Sequence, residues 1–281
     1  MNRYERHTCL FIIAVIAHEK KMTMEKFSPE ERHQLILNLL KSHNKVMATD
    51  LAVQLGTTEA TIRRDLRFLA NEGLCKRIHG GALSLVPPTG TQEQRLENRN
   101  SEKQALALAA LTIIKPKQVI FLDASSTHML LASLLPNDIG LTVVTNSPVI
   151  ATRLLERQNI RTILIGGELN YAVGGAIDIT AVEALNKFRF DLCFMGICGW
   201  SSEAGFSAIH YQDGEFKRHA ASKAGAIVAL CTEDKIEALG AYPFMTSADV
   251  DYLVCSPNCT ELKDYFHQID CSVITSAPIL G

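Results

Sequence analysis

The sequence has no C-x-x-C pair, no internal repeat, no low-complexity tract and no apolar run of membrane-spanning length. Each absence closes off a class of protein. Without about 18 consecutive apolar residues there is no transmembrane helix, and no membrane partner is expected. The eight cysteines do not form a disulfide framework, because a chain of 281 residues that is 47% hydrophobic can bury a core without one. Cys255 and Cys259 are spaced C-x3-C, but no second His/Cys pair completes a zinc site. Free thiols of this kind belong in a reducing cytoplasm, and a cytoplasmic location is expected. A large excess of positive charge is also missing. The net charge of −2 argues against a protein coated with nucleic acid. No catalytic constellation stands out, so neither an enzyme nor a bound cofactor or metal is expected.

The charge that is present is unevenly placed. From Ser28 to Leu83 eight basic residues face six acidic ones, a local charge of +2 that leaves −4 for the rest. Within that region Thr57–Leu66 reads TTEATIRRDL. Thr58 suits a helix N-cap, where its side-chain oxygen takes an otherwise orphaned backbone N–H. Ile62, Leu66 and Leu69 then recur at i, i+4, i+7 as one apolar stripe. At about 100° per residue, Ala60, Arg63, Arg64 and Arg67 fall on the opposite side. Such a helix buries one face and offers three guanidinium groups to phosphates and guanine edges. Pro29 opens an earlier helix to about Ser42, with apolar pairs among Leu35, Ile36, Leu39 and Leu40. A polar turn, His43-Asn44-Lys45, leads to a short helix over about Ala48–Leu55, which Gly56 ends. Helix, glycine turn and capped helix make the spacing of a helix-turn-helix. Lys76 and Arg77 precede a Gly80-Gly81 turn, as at the tip of a β-wing.

Arg32, Ile36 and Leu40, the run Thr58–Leu66 and the wing Arg77-x-His79-Gly80-Gly81-Ala82 resemble the DeoR family of bacterial sugar-metabolism regulators. The resemblance covers the whole N-terminal region and implies a winged helix-turn-helix over 26–83, with the helix-turn-helix at about 46–65. The candidate DNA contacts are Lys45, Thr57, Thr58, Ala60, Thr61, Arg63, Arg64, Arg67, Lys76, Arg77 and His79. Asp65 lies near the apolar side of its helix and reads as an intradomain ion-pair partner. Upstream, Arg3 and Arg6 precede the apolar run Cys9–Ala17, a pattern like a signal-peptide core. Export does not suit a DNA-binding protein. The expectation is instead that translation starts at Met22 or Met24 and that 1–25 is unstructured extra sequence.

Residues 84–99 have linker composition, with Pro87-Pro88 and Gly90. Beyond them, in 100–281, short apolar runs alternate with helical stretches. The runs are Val119–Leu122, Leu141–Thr145, Thr162–Ile165, Leu192–Met195, Ile227–Cys231, Tyr252–Cys255 and Ser272–Thr275. That alternation predicts a Rossmann-like α/β domain with a mostly parallel sheet. Ligands of such sheets bind beyond the carboxyl ends of the strands. There the sequence places Asp123-Ala124-Ser125-Ser126-Thr127, Thr145-Asn146-Ser147, Gly166-Gly167 and Gly196, small and hydroxylic residues suited to a phosphate at a helix N-terminus. This order is also similar to the DeoR-family sensor, which resembles ribose-phosphate isomerase and glucosamine-phosphate deaminase and is taken to bind a phosphorylated sugar. The resemblance implies Asp123 and Ser125–Thr127 for phosphate, Asn146 for a polar contact and Gly166-Gly167 for close backbone approach. Lys217 matches a family lysine, with Asp213 where Glu is usual. Thr145, Ser147, Gly196 and Lys235 complete the candidate effector set. Thr232-Glu233-Asp234-Lys235 stands where the family often has Asp-x-Ser-Lys, so the effector cannot be borrowed from relatives.

The expected function is a DNA-binding transcriptional regulator, a repressor of a carbohydrate-catabolism operon released from operator DNA by a sugar phosphate and working as a homodimer or homotetramer. The alternative is a sugar-phosphate isomerase-like enzyme fused to a DNA-binding domain, for which Glu168, Asp178 and Asp213 are the available acids. A third reading is a DNA-binding protein whose sensor serves only as an assembly scaffold.

Overall fold

The computed structural model describes residues 27–85 and 92–278. The N-terminal segment and the Pro-Pro part of the expected linker lie outside them. The chain divides into two compact units.

The first unit is a helical domain with a small sheet. Helix α1 (Pro29–His43) starts with a capping box. The Ser28 hydroxyl accepts the Glu31 N–H, and the Glu31 carboxylate accepts the Ser28 N–H. Strand β1 (Lys45–Met47) leads into α2 (Ala48–Gln54) and α3 (Glu59–Asn71). Thr58 caps α3 by accepting the Thr61 N–H. The predicted stripe is the buried one: Ile62, Leu66 and Leu69 pack with Ile36, Leu40 and Leu51, all at most 2% exposed. Asp65 is buried beside them. It receives two hydrogen bonds from the Arg32 guanidinium, 2.8 and 3.1 Å, and so forms the expected intradomain ion pair. Strands β2 (Cys75–Ile78) and β3 (Gly81–Leu85) form the antiparallel wing, and β1 pairs with the other side of β3. One further strand joins this sheet. Strand β13 (Ala238–Leu239) runs parallel to β3 at Ser84 and Leu85 and belongs to this unit together with Glu237.

The second unit begins earlier than its composition suggests. Residues 92–97, inside the expected linker, form helix α4 (Gln92–Glu97), followed by α5 (Asn100–Ala110). The unit is built on a seven-stranded sheet in the order β16-β15-β12-β9-β4-β5-β6. The strands are β4 (Val119–Leu122), β5 (Thr142–Thr145), β6 (Arg161–Leu164), β9 (Phe190–Met195), β12 (Ala224–Cys231), β15 (Tyr252–Cys255) and β16 (Ser272–Thr275). Every neighbouring pair is parallel. Alternation along the strands sends Phe121 and Cys193 to one face and Ile120, Leu122, Leu192 and Phe194 to the other. The first face is covered by α8 (Ile179–Leu185), α9 (Tyr211–Ala221) and α10 (Thr260–Phe266), through Leu185, Phe216 and Phe266. The second is covered by α5, α6 (Ser126–Leu134) and α7 (Pro148–Leu155), through Leu106, Met129, Leu131 and Leu154. From β4 the chain builds outward through β5 to β6. It then returns to the other side of β4 and builds through β9, β12, β15 and β16. The switch point therefore lies between β4 and β9, where sheets of this kind hold their ligands.

Shorter antiparallel pieces complete the unit: the hairpin β7 (Leu169–Asn170) and β8 (Gly175–Ala176), and a sheet of β10 (Gly199–Ser201), β11 (Gly205–Ala208) and β14 (Tyr242–Met245). Among the described residues every cysteine is a free thiol, no group of side chains is suited to a metal ion, and no helix is long and apolar enough to cross a membrane.

Candidate DNA interface and effector site

In the first unit, Ala60, Arg63, Arg64 and Arg67 are exposed on the side of α3 opposite its buried stripe. Arg63 donates to Glu59 one turn earlier, 2.6 Å, in a pair open to solvent. Thr58 and Thr61 have their hydroxyls 3.0 Å apart at the helix start, and Thr57 precedes them half-buried. Lys76, Arg77 and His79 are exposed on β2 and the wing turn. Lys45 is placed differently. Its ammonium lies 3.2 Å from the carboxylate of Glu237, which is buried. The acidic end of α3 belongs to its first turn, where Glu59 also favours the helix dipole.

In the second unit, the residues following β4 and β9 converge at the switch point. Asp123 is fully buried and organises the turn. Its carboxylate accepts the Ala124 N–H at 2.9 Å and the Gly196 N–H at 3.0 Å. The Lys217 ammonium, on α9, lies 3.2 Å from the same carboxylate and is hydrogen-bonded to Asp213. Burial alone lowers the basicity of such an ammonium, but Asp123 and Asp213 outweigh it and hold Lys217 protonated well above its ordinary range. Glycine is required at 196 by space. A Cβ there would meet the Asp123 carboxylate at 2.7 Å.

Helix α6 opens directly from this turn. The hydroxyl of its N-cap, Ser125, accepts no capping bond from the helix. Ser126 and Thr127 follow, both buried, and Thr127 Oγ1 has no hydrogen-bond partner in the protein. A buried hydroxyl without a partner is costly, and Thr127 stands in the first turn of a nine-residue helix, the turn whose backbone N–H groups have no intrahelical acceptor. Those are the elements of an anion site. His128 closes the turn from behind, donating from Nδ1 to the Asp123 carbonyl at 2.8 Å. Burial holds its imidazole neutral, with a pKa lowered to about 4.

Asn146, after β5, ties the turn to the rest of the site. Its Oδ1 accepts the Ala124 N–H at 3.0 Å, and its amide donates to the Ala176 carbonyl at 3.1 Å. Thr145 and Ser147 bond within the fold: Thr145 donates to the Leu122 carbonyl, and Ser147 caps α7. Gly166 is exposed with open space around it. Gly167 is needed because a Cβ would strike Asp178, the N-cap of α8. The close approach that borders the turn is made elsewhere, by Gly175, whose Cβ would meet Ala124 at 2.8 Å and Asn146 at 2.9 Å. Lys235 is half-buried. Its positive charge adds to the burial that lowers the His128 pKa.

Comparison with known proteins agrees with this division. Residues 32–87 match the DeoR-like helix-turn-helix domain, and residues 98–256 match the DeoR C terminal sensor domain. The chain belongs to the DeoR family. Among its relatives, the HTH-type transcriptional regulator GolR of Listeria innocua is 33% identical over 80% of this chain and 90% of its own. The HTH-type transcriptional repressor GlcR of Bacillus subtilis is 30% identical over 80% and 87%. The glycerol-3-phosphate regulon repressor of Escherichia coli K12 is 31% identical over 67% and 75%. Among solved structures, ribose 5-phosphate isomerase A of Methanocaldococcus jannaschii is 16% identical over 50% of this chain and 55% of its own, with a TM-score of 0.37. Like these relatives, this DeoR-family chain is a DNA-binding transcriptional regulator with a sensor domain.

Three residues around the candidate effector turn and its neighbouring helix carry no signal in the sequence. Arg95 and Lys103 fall in and beside a stretch with linker composition, and Gly175 sits in a two-residue strand. Lys103 is buried, donates to the carbonyls of Arg95 and Asn98, and has its pKa lowered to about 8 by burial and by Lys235. The spacing of Arg95 and Lys103, eight residues apart, gave no periodic signal.

Proposed function

We propose that this regulator represses a carbohydrate-catabolism operon and that a phosphorylated sugar releases it from operator DNA. The observation that carries the effector half is the orphaned Thr127 hydroxyl at the start of α6, beside the Asp123 turn. A phosphate oxygen there gives Thr127 Oγ1 its missing partner and accepts from the free N–H groups of the first turn. Asp123 and Asn146 support the turn through the Ala124 amide, and the Lys217 ammonium lies against Asp123 behind it. The names of the relatives, a glycerol-3-phosphate regulon repressor among them, support the same reading.

The DNA half rests on α3 and the wing. Arg63, Arg64 and Arg67 enter the major groove, and Lys76, Arg77 and His79 meet the flanking backbone. One winged helix reads a short half-site, so the regulator works as a homo-oligomer, a dimer or tetramer, on paired half-sites. The exposed Leu155 and Leu164, at the open β6 edge, are apolar surface suited to assembly. It acts where chromosomal DNA is, in the cytoplasm.

We assign it no turnover of its own. Asp178 is engaged as the cap of α8, Asp213 is held by Lys217, and Glu168 is exposed. Two of the three acids are thereby engaged, and the exposed Glu168 lacks the burial that would tune it as the proton-shuttling base an isomerase needs.

The sugar-phosphate assignment is tested by thermal denaturation of the full chain with sugar phosphates and with the same sugars unphosphorylated. At saturation, at least one phosphorylated compound raises the melting temperature by about 3 °C or more, and its unphosphorylated counterpart does not. Equal shifts from both members of every pair would remove the phosphate from the assignment.

A further inference from the structure

The hairpin β7–β8 and the loop between its strands touch the effector turn at one end and helix α4 at the other. At the turn, the Ala176 N–H donates to the Asn146 carbonyl at 3.0 Å, and the Asn146 amide returns a bond to the Ala176 carbonyl at 3.1 Å. Gly175 packs with no room for a side chain against Ala124 and Asn146. At the other end, Arg95 of α4 donates from both guanidinium nitrogens, one to the Ala172 carbonyl at 2.6 Å and one to the Val173 carbonyl at 2.9 Å. The loop is braced internally, because Asn170 accepts the Val173 N–H at its side chain and the Gly174 N–H at its carbonyl. Helix α4 is in turn fixed by Lys103, whose ammonium donates to the Arg95 and Asn98 carbonyls, and it packs against α6. The effector turn, the hairpin and α4 are thus connected in series: hydrogen bonds join Ala124 to Asn146, Asn146 to Ala176 and Val173 to Arg95, and the chain itself joins Val173 to Ala176 through Gly174 and Gly175.

The position of α4 in the chain gives this series a consequence. Residues 86–91 join β3 of the winged helix to α4, so α4 is the first element of the sensor that the DNA-binding unit is tied to along the chain. Neutral carbonyls are the two acceptors seen for the guanidinium in the hairpin, and a bidentate guanidinium clamp is orientation-specific. Such a clamp is broken by small displacements of the hairpin.

We propose that Arg95 is a positioning residue that fastens α4 to the β7–β8 hairpin, so that occupancy of the effector turn is reported through Asn146 and the hairpin to the segment leading to the winged helix. The proposal rests on the phosphate reading of the Ser125–Thr127 turn. An anion held there orders the Ala124 amide and Asn146, the hairpin is ordered with them, and Arg95 passes that order to α4.

Hydrogen exchange of the full chain, with and without about 10 mM inorganic phosphate, separates the two claims. Phosphate is expected to slow exchange at least about threefold in 122–130 and also in 92–98 and 170–174 of the unaltered protein. In Arg95→Ala the slowing at 122–130 is retained, while that at 92–98 is lost. Slowing at 122–130 without any response at 92–98 in the unaltered protein overturns the Arg95 proposal and leaves the phosphate site standing. So does an Arg95→Ala protein in which both responses survive. No slowing at 122–130 in the unaltered protein removes the phosphate reading and the proposal with it. Where Arg95→Ala does not fold, Arg95→Lys, which keeps the charge but not the bidentate fork, gives the same reading: slowing retained at 122–130 and lost at 92–98 supports the proposal, and slowing retained at both overturns it.

Discussion

At the scale of single residues, charge is used in two opposite ways. Arg63 is solvent-exposed, and its bond to Glu59 is a one-turn helix pair of the kind worth only about 0.3–0.5 kcal/mol. Arg63→Ala should therefore leave the melting temperature nearly unchanged while weakening operator binding by about 1–3 kcal/mol, read by fluorescence anisotropy at fixed salt. A loss of stability with full operator affinity would reassign Arg63 to the fold. Arg32 and Asp65 are the reverse case, a pair set into the domain with both side chains largely covered. Asp65→Asn leaves the guanidinium without its carboxylate and should lower the unfolding free energy by about 2–3 kcal/mol in a denaturant titration. His128 supplies a pH dependence. Folded, it titrates near 4, against 6.5 for a free imidazole. The folded state therefore binds fewer protons in that interval, and stability rises with pH across it. About 3 kcal/mol should be lost as the pH falls from 6.5 to 4, and His128→Asn should flatten that limb of the stability–pH curve.

At the scale of elements, the start of α6 carries the proposed phosphate site. Thr127→Val replaces a buried, unpartnered hydroxyl with a methyl of similar shape. The ligand-free protein should become more stable by about 1 kcal/mol and lose its response to phosphate. A destabilised Thr127→Val protein that still binds phosphate would show that the hydroxyl belongs to the fold. The elements themselves were largely legible. The Thr58 cap, the Ile62–Leu66–Leu69 stripe and the seven apolar runs each carry a local signal, and the structure has a helix or parallel strand at each. What stayed hidden depends on partners distant in sequence. Strand β13 is two residues long and exists because it adds to β3, with Ala238 opposite Ser84. The hairpin at Leu169–Ala176 is held by Asn146 and Arg95 rather than by any alternation of its own. Gly175, which abuts Ala124, sits in a two-residue strand that carries no signal of its own. Helix α4 is polar, and its place within a Pro- and Gln-containing stretch masked it.

At the scale of the whole molecule, the proposed function requires that a ligand on one unit alter what the other does on DNA, and only a ligand with unequal affinity for the two states achieves that. The weak overall charge of −2 fits a protein whose DNA affinity comes from a few placed arginines and paired half-sites rather than from a general cationic coat. The most direct test is a fluorescence-anisotropy titration of the full chain on the DNA upstream of its own gene, at fixed salt, with and without a set of sugar phosphates. The account predicts tight, sequence-specific binding that one sugar phosphate reverses and its unphosphorylated counterpart does not. Binding that is weak and abolished by moderate salt, or tight binding that a sugar phosphate occupying the Ser125–Thr127 turn leaves unchanged, would contradict it.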